Sequence, residues 1–80
     1  MTTPRQIETE LETAGLPAVV FKSEAAKKIG VSVELLYKEI ARGNIPRPAD
    51  KGIIERAALA RWLAGNPRHY ARFLNREKSA

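Results

Sequence analysis

Apolar residues recur at helical spacing along most of the chain, and the runs break at glycine and proline. Ile7, Leu11 and Ala14 stand at i, i+4 and i+7. They follow Thr3-Pro4-Arg5-Gln6, which offers an N-cap, a proline at the first helical position and a glutamine for a capping box. Gly15 closes this helix. Ala18-Val19-Val20-Phe21 is short and β-prone. A second helix is expected from Ser23 as N-cap, with Glu24 in its first turn, through Ala25-Ala26-Lys27-Lys28-Ile29 to a stop at Gly30. Ser32 is the expected N-cap of a third helix, Val33 to Arg42, with Gly43 just beyond its end. Asn44 to Gly52 carries Pro46 and Pro48 and reads as loop, and Ile53-Ile54-Glu55 reads as a brief strand. Arg56 to Ala64 is predicted helical, with Ala57, Leu59 or Ala60, and Leu63 inward, closed by Gly65. Asn66-Pro67 then supplies N-cap and N1 for a last helix through about Glu77.

Eighty residues suffice for one small domain with one modest core, and without cysteine that core depends on packing alone. The longest apolar run, Leu16 to Phe21, is far too short to cross a bilayer. No basic segment followed by an apolar one opens the chain, so a secretory signal is not expected and the reading is a soluble, cytoplasmic protein. Fourteen Lys and Arg against nine Asp and Glu give +5. The charge is uneven: Arg5 against Glu8, Glu10 and Glu12 leaves −2 over residues 1–16, and the remaining residues, 17–80, carry +7. A basic body behind an acidic first segment suits a polyanion-binding surface, although solubilising charge would leave the same trace.

The order of the middle elements sharpens this. Two short helices joined by a tight, glycine-containing turn are the sequence mark of a helix-turn-helix. Ala25 and Ala26 let the helices cross closely, and Gly30 accepts the backbone of the turn. Leu36 and Ile40 give the second of the two helices its apolar inner face, with Ile29 and Val31 closing the corner. Ser32, Val33 and Glu34 are left in its first turn to meet base edges.

Ala25-Ala26-Lys27-Lys28-Ile29-Gly30-Val31-Ser32, followed by Leu36-Tyr37, Ile40, Gly43 and Ile45-Pro46, resembles the winged helix-turn-helix of the MerR and excisionase group. That group includes phage excisionases, AlpA-like regulators and the DNA-binding domain of some phage terminase small subunits. The resemblance covers roughly residues 20–64. It implies a small sheet in which the stretch at Val20-Phe21 pairs with a wing strand near Ile53-Ile54, and a wing tip between Pro46 and Gly52. It also implies that Arg47 and Lys51 reach a DNA backbone or minor groove. The two prolines favour a rigid loop over a true hairpin, and Asp50 opposes close phosphate approach. The coiled coil and effector domain of full-length MerR-type sensors are not present in this chain, so ligand sensing of that kind is not expected.

The fold expected is therefore mainly α, a small winged helix-turn-helix with a short two-stranded wing, in one domain over residues 1–80. An N-terminal helix (1–16) and a C-terminal helix (66–78) flank the core (20–64). The expected DNA contacts are Ser32, Val33, Glu34, Tyr37, Lys38, Arg42, Arg47 and Lys51. Lys38 can reach a base or phosphate and Arg42 the backbone, or both can lie on a solvated face with Glu34 pairing to Lys38 at i, i+4. Tyr37 fits the core or a phosphate contact; Trp62 fits the core. Tyr70, Phe73 and Leu74 share one face of the last helix and Arg68, Arg72 and Arg76 another, able to grip phosphates or to solubilise the end. His69 has no evident partner for catalysis or metal binding, and no nucleophile–base grouping, paired carboxylates or glycine-rich phosphate loop appears, so neither an enzyme, a small-molecule substrate nor a cofactor is expected.

The expected function is sequence-specific binding of double-stranded DNA by a phage or mobile-element excisionase, with an integrase as partner and self-association on DNA, or by a small transcriptional regulator. The alternative is a protein-interaction adaptor or terminase-small-subunit-like module of a phage or plasmid assembly, contacting through the acidic first helix and the Tyr70-Phe73-Leu74 face.

Overall fold

The computed structural model describes residues 2–79. Its elements run α1 (Pro4–Thr13), β1 (Val19–Phe21), α2 (Lys22–Ile29), α3 (Val33–Ala41), β2 (Ile53–Glu55), α4 (Arg56–Ala64) and α5 (Pro67–Ser79). The fold is mainly helical, with one short two-stranded antiparallel sheet.

The first helix forms as its cap dictates. Thr3 Oγ1 accepts from Gln6 N at 3.2 Å and Gln6 Oε1 accepts from Thr3 N at 3.1 Å, so two otherwise orphan donors are satisfied reciprocally. Ile7 and Leu11 are buried from this helix, which packs along α4. In the sheet, Val19 faces Glu55, Val20 faces Ile54 and Phe21 faces Ile53. Val20 and Ile54 point into the core while Val19 and Phe21 point out, the period-two alternation of a half-buried strand. Backbone bonds from Lys22 N to Gly52 O and from Arg56 N to Ala18 O continue the pairing past both ends.

Each strand runs straight into a helix, β1 into α2 and β2 into α4, and this corrects one expected boundary. Ser23 is not an N-cap: α2 starts at Lys22, and its N-cap, Phe21, lends no side-chain bond. The strand ladder fixes the chain's entry angle, so a capping side chain is not required there. Ala57 is also corrected. It is exposed, and Ala58, Leu59, Ala60, Trp62 and Leu63 form the inward face of α4. Asn66 turns back to donate from Nδ2 to Trp62 O at 2.7 Å, while its backbone carbonyl receives His69 N and Tyr70 N in the first turn of α5. That helix reaches Ser79, past the expected end at Glu77.

One cluster of buried side chains joins all five helices. Ile7 and Leu11 of α1, Ile29 of α2, Leu36 of α3, Leu59 and Leu63 of α4 and Phe73 of α5 are each at most 1% exposed. Burying a side chain of this size contributes about 1.5–3 kcal/mol, which is how so small a chain holds without cross-links. Trp62 is part of this core and stacks on His69, ring centroids 5.0 Å apart.

The acidic first helix is spent on internal contacts. Arg56 reaches Glu8 at 3.3 Å and Glu12 at 3.6 Å, and its Nη1 donates to Leu16 O at 2.9 Å. Glu10 accepts from the Tyr70 hydroxyl. Burial first, and then this carboxylate, push the Tyr70 pKa up to about 12. With Phe73 1% exposed, the Tyr70-Phe73-Leu74 face packs on the core instead of standing free for a partner.

Candidate nucleic-acid interface

The helix-turn-helix is built by α2, α3 and the three residues between them. Gly30 ends α2 with φ +81°, a left-handed conformation that glycine adopts without steric cost. Its N–H and that of Val31 both bond to Ala26 O, at 2.9 and 3.0 Å. Ser32 then caps α3, its Oγ accepting from Leu35 N at 3.2 Å.

From α5, Arg76 Nη2 donates to Lys27 O at 2.8 Å and Arg72 Nη1 to Gly30 O at 3.4 Å. These are carbonyls at the C-terminal end of α2, where partial negative charge collects. The arginine stripe therefore does a third thing, bracing the turn from behind, beyond the phosphate grip or solubilising role expected of it. Lys28 lies 3.9 Å from Glu77 across the same helix pair.

The two faces of α3 differ sharply. Leu36 and Ile40 are buried, and Glu34, Tyr37, Lys38 and Ala41 are exposed at i, i+3, i+4 and i+7. That outward row is short-to-medium side chains with one long cation, Lys38, at its centre. No ion pair joins Glu34 to Lys38 among the described residues. Arg42 is the C-cap; its guanidinium lies 3.8 Å from Glu39, with the side chain 66% exposed. Tyr37 is 47% exposed, so it belongs to the surface and not to the core. At the start of α3, Val33 is half-buried and packs against the core, while Ser32 is exposed and its hydroxyl accepts the expected cap bond from Leu35 N.

The segment from Arg42 to Gly52 is a loop without strand pairing of its own, as the prolines foretold. Gly43 has φ +83°, Asn44 N and Ile45 N return to Glu39 O, and Ile45 is buried as an anchor. Arg47, Asp50 and Lys51 are exposed on the loop. A cleft of about 430 Å³ separates it from α3, with Tyr37, Ile40 and Ala41 on one wall and Arg47, Pro48 and Lys51 on the other. The structure thus brings Tyr37, Arg47 and Lys51 to one cleft, with Lys38 on the adjoining outward row, while Ser32 and Val33 lie at the opposite end of α3.

Sequence reading missed Lys22, the single buried charged residue among the described residues, 3% exposed at the floor of this cleft. Its Nζ lies 4.1 Å from the Tyr37 ring centroid and donates to Lys51 O. Burial, with Arg47 adding like charge, lowers its pKa below the ordinary lysine value. The signal was present in the alternation of β1: if Val20 points in and Phe21 out, Lys22 comes next inward.

Among the described residues, no group of three or more His, Cys, Asp or Glu gathers to hold a metal ion, and no helix is long and apolar enough to cross a membrane. Comparison with protein-family models, curated proteins and solved structures finds no match to this chain.

Proposed function

We propose that this protein binds double-stranded DNA in a sequence-dependent way, with α3 in the major groove and the 46–52 loop against the backbone. One observation carries this. A nine-residue helix is locked on one side by Leu36 and Ile40, presents Glu34, Tyr37, Lys38 and Ala41 on the other, and faces a loop that holds Arg47 and Lys51 across an open cleft. A helix is about 10–12 Å across with its side chains, and the major groove is about 12 Å wide, so such a face can enter it. Nine residues rise roughly 13 Å, enough to pass about four base-pair steps. Binding of this kind suits a cytoplasmic excisionase or small transcriptional regulator of a phage or mobile element. An integrase is then the natural partner for the first and self-association on DNA for either.

The helix and the loop predict separable effects. Lys38 projects from a rigid helix and can meet a base edge, so Lys38→Ala is expected to cost about 1–3 kcal/mol of discrimination between cognate and random duplex. Arg47, bracketed by Pro46 and Pro48, can hold a cation near phosphates but has little means of reading a base. Arg47→Ala is expected to weaken both duplexes alike and to make the salt dependence shallower by about one unit. Paired titrations of selected and random duplexes check this. An exchange of the two effects would mean that the loop, and not α3, reads the sequence.

A further inference from the structure

Lys22 joins the two walls of the proposed DNA-binding cleft from beneath. It makes two consecutive bonds to the root of the loop, its backbone N–H to Gly52 O at 2.8 Å and its Nζ to Lys51 O. The same ammonium lies under the Tyr37 ring of α3. None of the described ion pairs gives it a carboxylate, and Arg47 stands near enough to add repulsion.

A buried cation without a counter-ion is a poor choice for stability, since an apolar side chain of similar length would avoid the desolvation. Local sequence does not require it either. The first position of α2 needs no lysine, and the strand–helix junction is already fixed by the ladder of β1 and β2. What lysine does here that an apolar residue cannot is bond a loop carbonyl and an aromatic face of the recognition helix at once.

We propose that Lys22 is a positioning residue, a latch that sets the spacing between α3 and the 46–52 loop so that both can engage one DNA duplex. This rests on the DNA-binding reading given above. The latch holds the carbonyl of Lys51, which trypsin must attack to cut the Lys51–Gly52 bond, and so it has a signature that needs no DNA.

The experiment compares the wild-type chain with Lys22→Met and Lys22→Arg. In Lys22→Met, native-state tryptic cleavage after Lys51 is expected to rise about ten-fold relative to the other sites, as the loop opens locally. Its thermal midpoint should stay near that of the wild type, because a buried charge is replaced by an apolar chain. Its duplex binding should show a salt slope shallower by about one unit for each phosphate that the loop no longer reaches. Lys22→Arg, which keeps the charge and a donor, should restore slow cleavage and the steeper slope. Unchanged cleavage after Lys51 in Lys22→Met would overturn the proposal. So would a rise at all sites together with a lowered midpoint, the mark of a residue that only supports the fold. Should Lys22→Met not fold, the wild-type chain still decides: the Lys22 ε-protons must resonate upfield under the Tyr37 ring, and ordinary lysine shifts would overturn the latch. Selective cleavage in a chain that binds no duplex would support the latch and remove the DNA-binding reading alone.

Discussion

Replacing Phe73 with alanine is expected to destabilise the protein by about 3–5 kcal/mol, the cost of deleting a fully enclosed aromatic ring and leaving a cavity. Phe73 is 1% exposed and is among the largest fully buried side chains. It is the one fully buried anchor among the described residues by which α5 is held on the core, with Tyr70 and Leu74 packing beside it half-buried. A chain of this size loses about 4–8 °C of thermal midpoint per kcal/mol, so the change should be large in a melting experiment. The same substitution examines the adaptor reading. If the Tyr70-Phe73-Leu74 face were a free docking surface, the midpoint would hardly move and only partner binding would suffer.

Gly30→Val is the second large effect. A β-branched residue at φ +81° carries a backbone strain of about 1–3 kcal/mol. A Cβ there would also stand 2.6 Å from Arg76 Cδ, so that side chain must shift from the carbonyl of Lys27, and 3.3 Å from Arg72 Cδ, which must give by a few tenths of an ångström. Gly43 supplies the control, since its φ is +83° and a Cβ built on it meets nothing within 4 Å. Gly43→Val should therefore show strain alone. Gly30→Val should exceed it by about 1 kcal/mol, the net worth of exposed side chain–carbonyl bonds. Urea unfolding of both variants checks the difference; equal losses would mean that the arginine brace adds nothing to the turn.

What could be read from the chain beforehand was what depends on neighbours within about four residues. The capping box of Thr3 and Gln6, the cap at Ser32, the glycine stop at Gly30 and the apolar row of Leu36 and Ile40 are all local, and each lies where its pattern placed it. The pairing of Val20 with Ile54 followed from the resemblance, not from spacing alone. The contacts that escaped are long-range and polar. Arg56 meets Glu8 across 48 positions, Lys22 meets Lys51 across 29, and Arg76 meets Lys27 across 49. A single arginine or lysine looks the same in sequence whether it faces water or a distant carbonyl. Ser23 failed for a related reason: a strand ladder, formed with residues more than thirty positions away, took over the work of a local cap. In the candidate site the outward row of α3 was legible from periodicity. At the cleft's floor, alternation in β1 marks Lys22 as inward, but its partners Lys51 and Tyr37 meet it only once the 46–52 loop has folded back.

Titrating a labelled duplex with the protein at several salt concentrations decides whether α3 and the loop together bind duplex DNA, as proposed. Lys38, Arg42, Arg47 and Lys51 are exposed cations on these two elements. Each phosphate neutralised on duplex DNA releases condensed counterions and adds about −0.9 to the log–log slope of affinity against salt. Three to four such contacts predict a slope of about −3 to −4, with a Kd that weakens steeply as salt rises. A flat response, or no binding even at low salt, would contradict the account.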